Sequence, residues 1–133
     1  FRRYGRQVRR NAHILARALI RLGFTLVSGG TENHLMVVDC TDLGISGREA
    51  QDRLEAVGIV VNRNTIPYDA RSPFDPSGIR IGTPVVTSRG MREREMAAIA
   101  LLISDTLRHS ASTAKIRRRV RALLRRFPLP YAR

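Results

Sequence analysis

A segment rich in turn-forming residues lies between two short apolar runs and constrains the middle of the chain to a strand–loop–strand arrangement. Proline and glycine recur through residues 61–84, and both residue types favour turns over regular elements. The apolar runs occupy residues 59–61 and 79–81. Because β-branched residues fit a pleated, half-buried strand, we predict a strand at each run and an irregular loop between them.

One charged residue interrupts the second apolar run. Arg80 lies between Ile79 and Ile81, and side chains alternate faces in a strand, so Arg80 points away from both isoleucines. A guanidinium has a rigid fork that suits bidentate binding of a carboxylate. Arg80 is therefore a candidate carboxylate ligand. An arginine at a strand edge that reaches water or a surface acid is the alternative interpretation.

Hydrophobic periodicity and turn signals predict the remaining elements. Apolar residues at steps of three and four mark amphipathic helices, and Ser46 with Glu49 matches a helix capping box. The order of elements predicts an α/β fold, a two-layer sandwich in which helices cover a small, mainly antiparallel sheet. The predicted elements are a helix at 2–22, strands at 24–27 and 34–40 joined by a glycine-rich turn at 28–30, a helix after Ser46, strands at 59–61 and 79–81, a helix after Gly90 and a helix at 113–127.

The positive charge is concentrated at the two ends of the chain. The 133 residues suit one domain and carry a net charge of +13. Residues 1–22 hold seven arginines and no acid, residues 108–133 hold nine basic residues and no acid, and the middle is slightly acidic. A basic module that binds nucleic acid or an anionic membrane is therefore one functional alternative.

Cysteine and histidine point to no redox or metal chemistry. Cys40 is the only cysteine and follows an apolar run, so we predict a buried small hydrophobe rather than a reactive thiol. A chain with one cysteine cannot form an internal disulfide, which fits a cytoplasmic location. The three histidines are widely separated and predict no metal site.

Three motifs in the central region carry a family resemblance. They are LVSGGTENHLMVVD at 26–39, the loop segment at 61–84, and GTPVVTSRGMREREM at 82–96. Over residues 4–107 the chain resembles the C-terminal domain of serine hydroxymethyltransferase, a fold type I pyridoxal phosphate enzyme. The resemblance divides the chain into that domain at 1–107 and a basic helical tail at 108–133.

The resemblance implies a reaction and a set of binding residues. Enzymes of this family interconvert serine plus tetrahydrofolate with glycine plus 5,10-methylenetetrahydrofolate, using pyridoxal phosphate as an electron sink. Arg80 would bind the substrate carboxylate, Asn64 would face the pterin ring, and Ser72, Pro73 and Phe74 would contact folate. Taken alone, Ser-Pro-Phe is also consistent with an ordinary proline turn.

The resemblance also implies that catalysis needs residues outside this sequence. The family forms a Schiff base between pyridoxal phosphate and a lysine, whereas the only lysine here, Lys115, lies in the arginine-rich tail. We therefore expect a fragment that is inactive alone and holds no catalytic residue. The family forms homo-oligomers, and the first helix is expected to pack against the absent large domain. A truncated regulatory paralogue remains an alternative.

Overall fold

The computed structural model describes residues 2–27 and 34–129. The glycine-rich turn predicted at 28–30 and the last four residues of the predicted tail lie outside this part. The elements in chain order are α1 (Arg2–Arg21), β1 (Thr25–Leu26), β2 (Leu35–Asp39), a 3₁₀ turn (Thr41–Leu43), α2 (Gly47–Ala56), β3 (Asn62–Asn64), β4 (Gly78–Gly82), α3 (Pro84–Ser88), α4 (Glu93–Leu107) and α5 (Thr113–Arg126).

The described strands form one small antiparallel sheet in the order β1-β2-β4-β3. One face of the sheet is buried against the helices through Met36, Val38, Ile79 and Ile81. The opposite face carries exposed residues on all four described strands. This arrangement confirms the predicted two-layer α/β sandwich with an antiparallel sheet.

Helix α1 packs inside this domain. Its apolar residues at Val8, Ala12, Leu15 and Leu19 are buried, and α1 lies against α4 and the first two strands. The core of this chain covers the apolar face of α1, so the packing expected between this helix and the absent large domain stays a prediction for its exposed face. Gly23, with a φ of 91°, ends the helix as predicted.

The strand predicted at residues 59–61 is wrong, because β3 begins one residue after that run. Ile59 donates its backbone N–H to the carbonyl of Leu54 at 2.9 Å and so completes the C-terminal cap of α2. That amide is not available to a sheet partner. The strand pairing begins at Asn62, which lies opposite Arg80.

Only half of the predicted capping box at α2 forms. Ser46 is the N-cap and its hydroxyl accepts the backbone N–H of Glu49 at 3.1 Å. The Glu49 carboxylate instead accepts from Arg53 one turn later, at 2.8 Å. The cap still begins the helix at the predicted place.

Helix α5 is packed onto the domain rather than extended away from it. Ile116 and Val120 are buried together with Val57 and Leu102, which belong to the end of α2 and to α4. The structure also contains the short helix α3, which was not predicted from the sequence. Among the described helices, none combines the length and the apolar character needed to cross a bilayer.

Candidate functional site

The side of the sheet away from the helices forms a candidate binding surface. Arg80 at the centre of β4 lies opposite Val37 of β2 and Asn62 of β3. Directly paired residues project to the same face of a sheet, and Asn64 shares that face because it is two residues from Asn62. We call this surface the open face and define it by Leu35, Val37, Asn62, Asn64 and Arg80.

Two glycines leave space on either side of Arg80. Gly78 and Gly82 are each two residues from Arg80, so all three share the open face. A Cβ atom at Gly78 would lie 2.9 Å from Cγ2 of Ile66, and one at Gly82 would lie 2.9 Å from Cδ2 of Leu35. The glycines therefore allow two apolar side chains to lie close against the strand beside the arginine.

Arg80 has the exposure expected of a ligand-binding cation. Its side chain is exposed while Ile79 and Ile81 are buried, which confirms the predicted alternation. Within residues 2–27 and 34–129, no ion pair joins Arg80 to a carboxylate. The guanidinium can therefore receive a carboxylate from outside this part of the chain without breaking an existing ion pair.

Asn64 lies at the end of β3, opposite Gly78. Its side-chain amide donates to the carbonyl of Thr65 at 2.8 Å, which fixes the orientation of the amide group. The residue is half-buried. The fold thus brings Asn64 and Arg80 to the same face, on neighbouring strands.

The other three predicted folate-contact residues form the exposed tip of the loop between β3 and β4. The Ser72 hydroxyl accepts the backbone N–H of Phe74 at 3.1 Å, a local bond that is typical of a serine turn. Pro73 lies between them, and the Phe74 side chain is 84% exposed. A large aromatic ring held in solvent at a turn is available to contact a planar ligand.

Asp69 organises this loop, although it was not predicted from the sequence to be a functional residue. One carboxylate oxygen accepts from the Arg71 N–H at 2.9 Å and from the Ser77 hydroxyl at 2.6 Å. The other oxygen accepts from the Ser77 N–H at 2.9 Å and from the Ile66 N–H at 3.3 Å. The carboxylate thereby connects the beginning, the middle and the end of the loop.

These hydrogen bonds change the acidity of Asp69. The Ser77 hydroxyl, followed by the backbone N–H groups of Ser77 and Arg71, holds the pKa of the Asp69 carboxyl well below its usual range. Bonds to the charged form of a carboxyl favour that form. An aspartate two residues before Arg71 is a recognisable turn signal, whereas the contact with Ser77, eight residues away, has no local sequence signal.

The end of the loop is fixed to the rest of the domain by backbone hydrogen bonds. The Gly47 N–H donates to the carbonyl of Pro76 at 2.7 Å, and the Cys40 N–H donates to the carbonyl of Ser77 at 2.9 Å. Burial raises the pKa of the Cys40 thiol to about 12. Cys40 is therefore a buried structural residue, as predicted. The two backbone bonds hold the end of the loop in place where β4 begins.

One carboxylate oxygen in the loop lacks a hydrogen-bond donor among the described residues. Asp75 Oδ1 is buried and has no partner in this part of the chain. The other oxygen, Oδ2, lies 3.8 Å from Arg71, and both side chains are about half exposed. A buried acceptor without a donor is unusual, and it leaves one unused hydrogen-bonding position next to the loop tip.

The described residues do not fit a covalently bound pyridoxal phosphate. The only lysine, Lys115, is exposed on the first turn of α5, and its backbone N–H donates to the Ser112 hydroxyl. Helix α5 packs on α4, on the helical side of the sheet, whereas Arg80 is on the open face. The lysine and the candidate carboxylate ligand are therefore on different sides of the domain.

The helical side contains an apolar cavity of about 400 Å³. Its lining is apolar apart from Arg89, and the Arg89 guanidinium donates to the carbonyls of Phe127 and Leu124 at the end of α5. The cavity brings together no set of polar groups that could orient a substrate. Among the described residues, no cluster of three or more His, Cys, Asp or Glu side chains is arranged to hold a metal ion.

Comparison with known proteins assigns the chain to a family. Residues 1–103 match the family model described as serine hydroxymethyltransferase. The chain belongs to the serine hydroxymethyltransferase family. The matched range contains α1, the whole sheet, the loop with Asp69 and most of α4.

A curated relative extends the similarity to nearly the whole chain. The serine hydroxymethyltransferase of Desulforapulum autotrophicum is 52% identical over 129 residues, which is 97% of this chain. The same alignment covers 31% of the relative. The chain therefore spans less than a third of the length of the serine hydroxymethyltransferase that it matches.

Proposed function

We propose that this chain contributes the substrate-carboxylate ligand and the folate-contact loop to a serine hydroxymethyltransferase. Arg80 binds the carboxylate of serine or glycine, and Asn64 with the 72–74 tip contacts tetrahydrofolate. The complete enzyme interconverts serine plus tetrahydrofolate with glycine plus 5,10-methylenetetrahydrofolate. The observation that carries the proposal is an exposed Arg80 on the open face with no ion pair to a described carboxylate.

The physical environment of Arg80 supports carboxylate binding. The residue lies in the interior of the sheet, between β2 and β3, so its backbone is fixed on both sides. Ile66 and Leu35 lie close to the strand at the neighbouring glycines. Apolar walls lower the local dielectric once a second surface covers them, and a bidentate ion pair then becomes stronger than it is in water.

Pyridoxal phosphate would be bound mainly by residues that this sequence does not contain. When bound, the cofactor supplies an electron sink for the reaction at the amino-acid carbon. This chain alone, with Lys115 on the helical side, is then inactive. The proposal includes a homo-oligomeric enzyme in the cytoplasm, as the family resemblance implies.

The basic helix α5 gives less support to a nucleic-acid or membrane function. Arg117 donates twice to the carbonyl of Ala56, at 2.9 and 3.1 Å. Arg119 is paired with Asp105 at 2.7 Å. These arginines attach α5 to the domain, so part of the basic surface has a structural role.

The test is a chimera in which this chain replaces the matching 31% of the Desulforapulum autotrophicum relative. Calorimetric titration with serine and glycine compares the unsubstituted chimera with Arg80→Ala and Arg80→Lys. Removing one partner of a desolvated ion pair costs about 3–5 kcal/mol, so Arg80→Ala should weaken binding by about 10²- to 10⁴-fold. Arg80→Lys keeps the charge but loses the fork and should be intermediate.

A matched control comes from the neighbouring strand. Arg63 of β3 is also exposed but lies opposite Ile79, so it projects to the other face. Arg63→Ala should leave the affinity for serine and glycine unchanged. Normal amino-acid affinity in the Arg80→Ala chimera would contradict the proposal, and so would an unsubstituted chimera that does not turn over serine with tetrahydrofolate.

A further inference from the structure

Asp69 is the residue with the most hydrogen bonds in the loop, yet it does not itself lie at the tip. Its two carboxylate oxygens accept four hydrogen bonds from three residues, Ile66, Arg71 and Ser77. Three of the donors are backbone N–H groups. Such bonds fix the path of the chain and do not depend on which side chains the donors carry.

The positions of these donors connect the loop to the surroundings of Arg80. Ser77 immediately precedes β4, the strand of Arg80. Ile66 has its Cγ2 atom close to the backbone of Gly78, on the same face as Arg80. Arg71 immediately precedes the 72–74 tip. A single carboxylate thus bonds to the residue before β4, to the residue whose side chain lies beside Gly78, and to the residue before the tip. The bond from Ile66 is the longest of the four, at 3.3 Å, whereas β2 and β3 hold the strand of Arg80 on both sides.

We propose that Asp69 is a positioning residue that holds the 72–74 tip in the geometry required for folate while leaving the amino-acid site at Arg80 intact. This inference rests on the proposed function of the loop. Without the carboxylate, the tip would sample several conformations, and folate binding would have to restrict them. The cost of ordering the loop would then reduce folate affinity.

The requirement for a carboxylate follows from the number of acceptors. An asparagine has the same shape but offers only one acceptor oxygen, and its NH₂ group cannot accept from an N–H donor. Asp69→Asn would leave donors on one side of the group without an acceptor: either Arg71 N–H and the Ser77 hydroxyl, or Ser77 N–H and Ile66 N–H. The substitution also removes the negative charge that strengthens each bond.

The first experiment measures kinetics in the chimera described above. Asp69→Asn should raise the KM for tetrahydrofolate by at least about tenfold, which is the effect of losing one charge-assisted hydrogen bond. The affinity for serine should change by less than about twofold, because the pairing of β4 with β2 and β3 holds Arg80 in place independently of Asp69. The control is Asp52→Asn, which removes an equal charge from an exposed position on α2 and should change neither constant.

The second experiment measures hydrogen exchange in this chain itself. In Asp69→Asn, the amides of Ile66, Arg71 and Ser77 should exchange faster, by about tenfold or more for those that lose their acceptor. Amides in the middle of α4 should keep their exchange rates. If Asp69→Asn prevents folding of the chimera, Ser77→Ala removes only the hydroxyl donor and should give a smaller rise in the KM for tetrahydrofolate.

The outcomes separate this inference from the proposed function. Unchanged KM for tetrahydrofolate in both Asp69→Asn and Ser77→Ala, or unchanged loop exchange, would overturn the positioning role even if Arg80→Ala abolishes serine binding. An equal loss of affinity for serine and tetrahydrofolate would also overturn it, because a general structural defect would then explain the result. Failure of the Arg80 test would instead reject the proposed function itself.

Discussion

A buried polar residue of α1 provides a direct test of whether this helix is an integral part of the domain. Asn11 is completely buried. Its side-chain N–H groups donate to the Thr87 hydroxyl of α3 at 2.9 Å and to the carbonyl of Met91 at 3.0 Å. Its carbonyl oxygen accepts from Gln7 at 2.8 Å. Asn11→Ala removes all three bonds at once.

The expected loss of stability follows from what each partner retains. Thr87 still donates to the carbonyl of Thr83 at 2.7 Å, and Gln7 still donates to Glu93 at 2.7 Å. The Met91 carbonyl loses the Asn11 donor, which costs about 1–3 kcal/mol for a buried acceptor. The space left by the amide group adds about 1 kcal/mol. The free energy of unfolding should therefore fall by about 2–4 kcal/mol.

The assay is urea unfolding of this chain, followed by far-ultraviolet circular dichroism. With a denaturant dependence of about 2 kcal/mol per molar urea, the midpoint should fall by about 1–2 M. Arg17→Ala, an exposed position on the same helix, is the control and should change stability by less than about 0.5 kcal/mol. If Asn11→Ala changed the free energy of unfolding as little as Arg17→Ala, this would refute the conclusion that hydrogen bonds from α1 to α3 and to the segment before α4 stabilise the domain.

Two further substitutions test the attachment and the charge of the loop. Gly47→Ala would place a Cβ atom against the carbonyl oxygens of Gly78 and Pro76, so the free energy of urea unfolding should fall by about 1–3 kcal/mol; Gly5→Ala, whose Cβ would meet only an Arg9 side-chain atom at 3.6 Å, should be neutral or stabilising by up to about 1 kcal/mol. Equal stabilities of the two glycine variants would contradict this close approach. Because the folded-state pKa of Asp69 is lowered, its contribution to stability is present above the ordinary carboxyl pKa of about 4 and is lost as pH falls below that value. Between about pH 4 and pH 2, the free energy of unfolding of the Asp69→Asn variant should therefore fall less than that of the unsubstituted chain. An equal fall for both proteins, measured by urea unfolding over this range, would contradict the lowered pKa of Asp69.

Local patterns predicted the fold class and the orientation of Arg80. Because side chains alternate along a strand, the Arg80 side chain must lie on the other face of β4 from Ile79 and Ile81. Apolar residues at steps of three and four likewise fix the buried face of α1. The error at residues 59–61 arose from competition between neighbouring elements. Those apolar residues resemble a strand, but the backbone N–H of Ile59 donates to the C-terminal end of α2. Which of the two neighbouring elements takes this amide depends on the three-dimensional path of the chain.

The residues that the sequence did not identify have partners far away along the chain. Asn11 bonds to a residue 76 positions later, and Asp69 bonds to Ser77, eight positions later. A polar residue within an amphipathic helix normally reads as part of the solvent-facing side. Two of the three partners of Asn11, Thr87 and Met91, come from α3 and from the segment between α3 and α4. Helix α3 was missed because it has only five residues, which is too short for periodicity to be visible.

The distribution of hydrogen bonds separates the residues that hold the site from those that can receive a ligand. Asp69 and Ser77 are occupied with each other and with the backbone of the loop, and Asn64 is oriented by Thr65. Arg80 and Phe74 are exposed between these fixed positions. Because the residues around these exposed groups are already held in place, less conformational entropy is lost when a ligand binds. That pattern favours a preformed half of a binding site, which a second surface would complete from the open face.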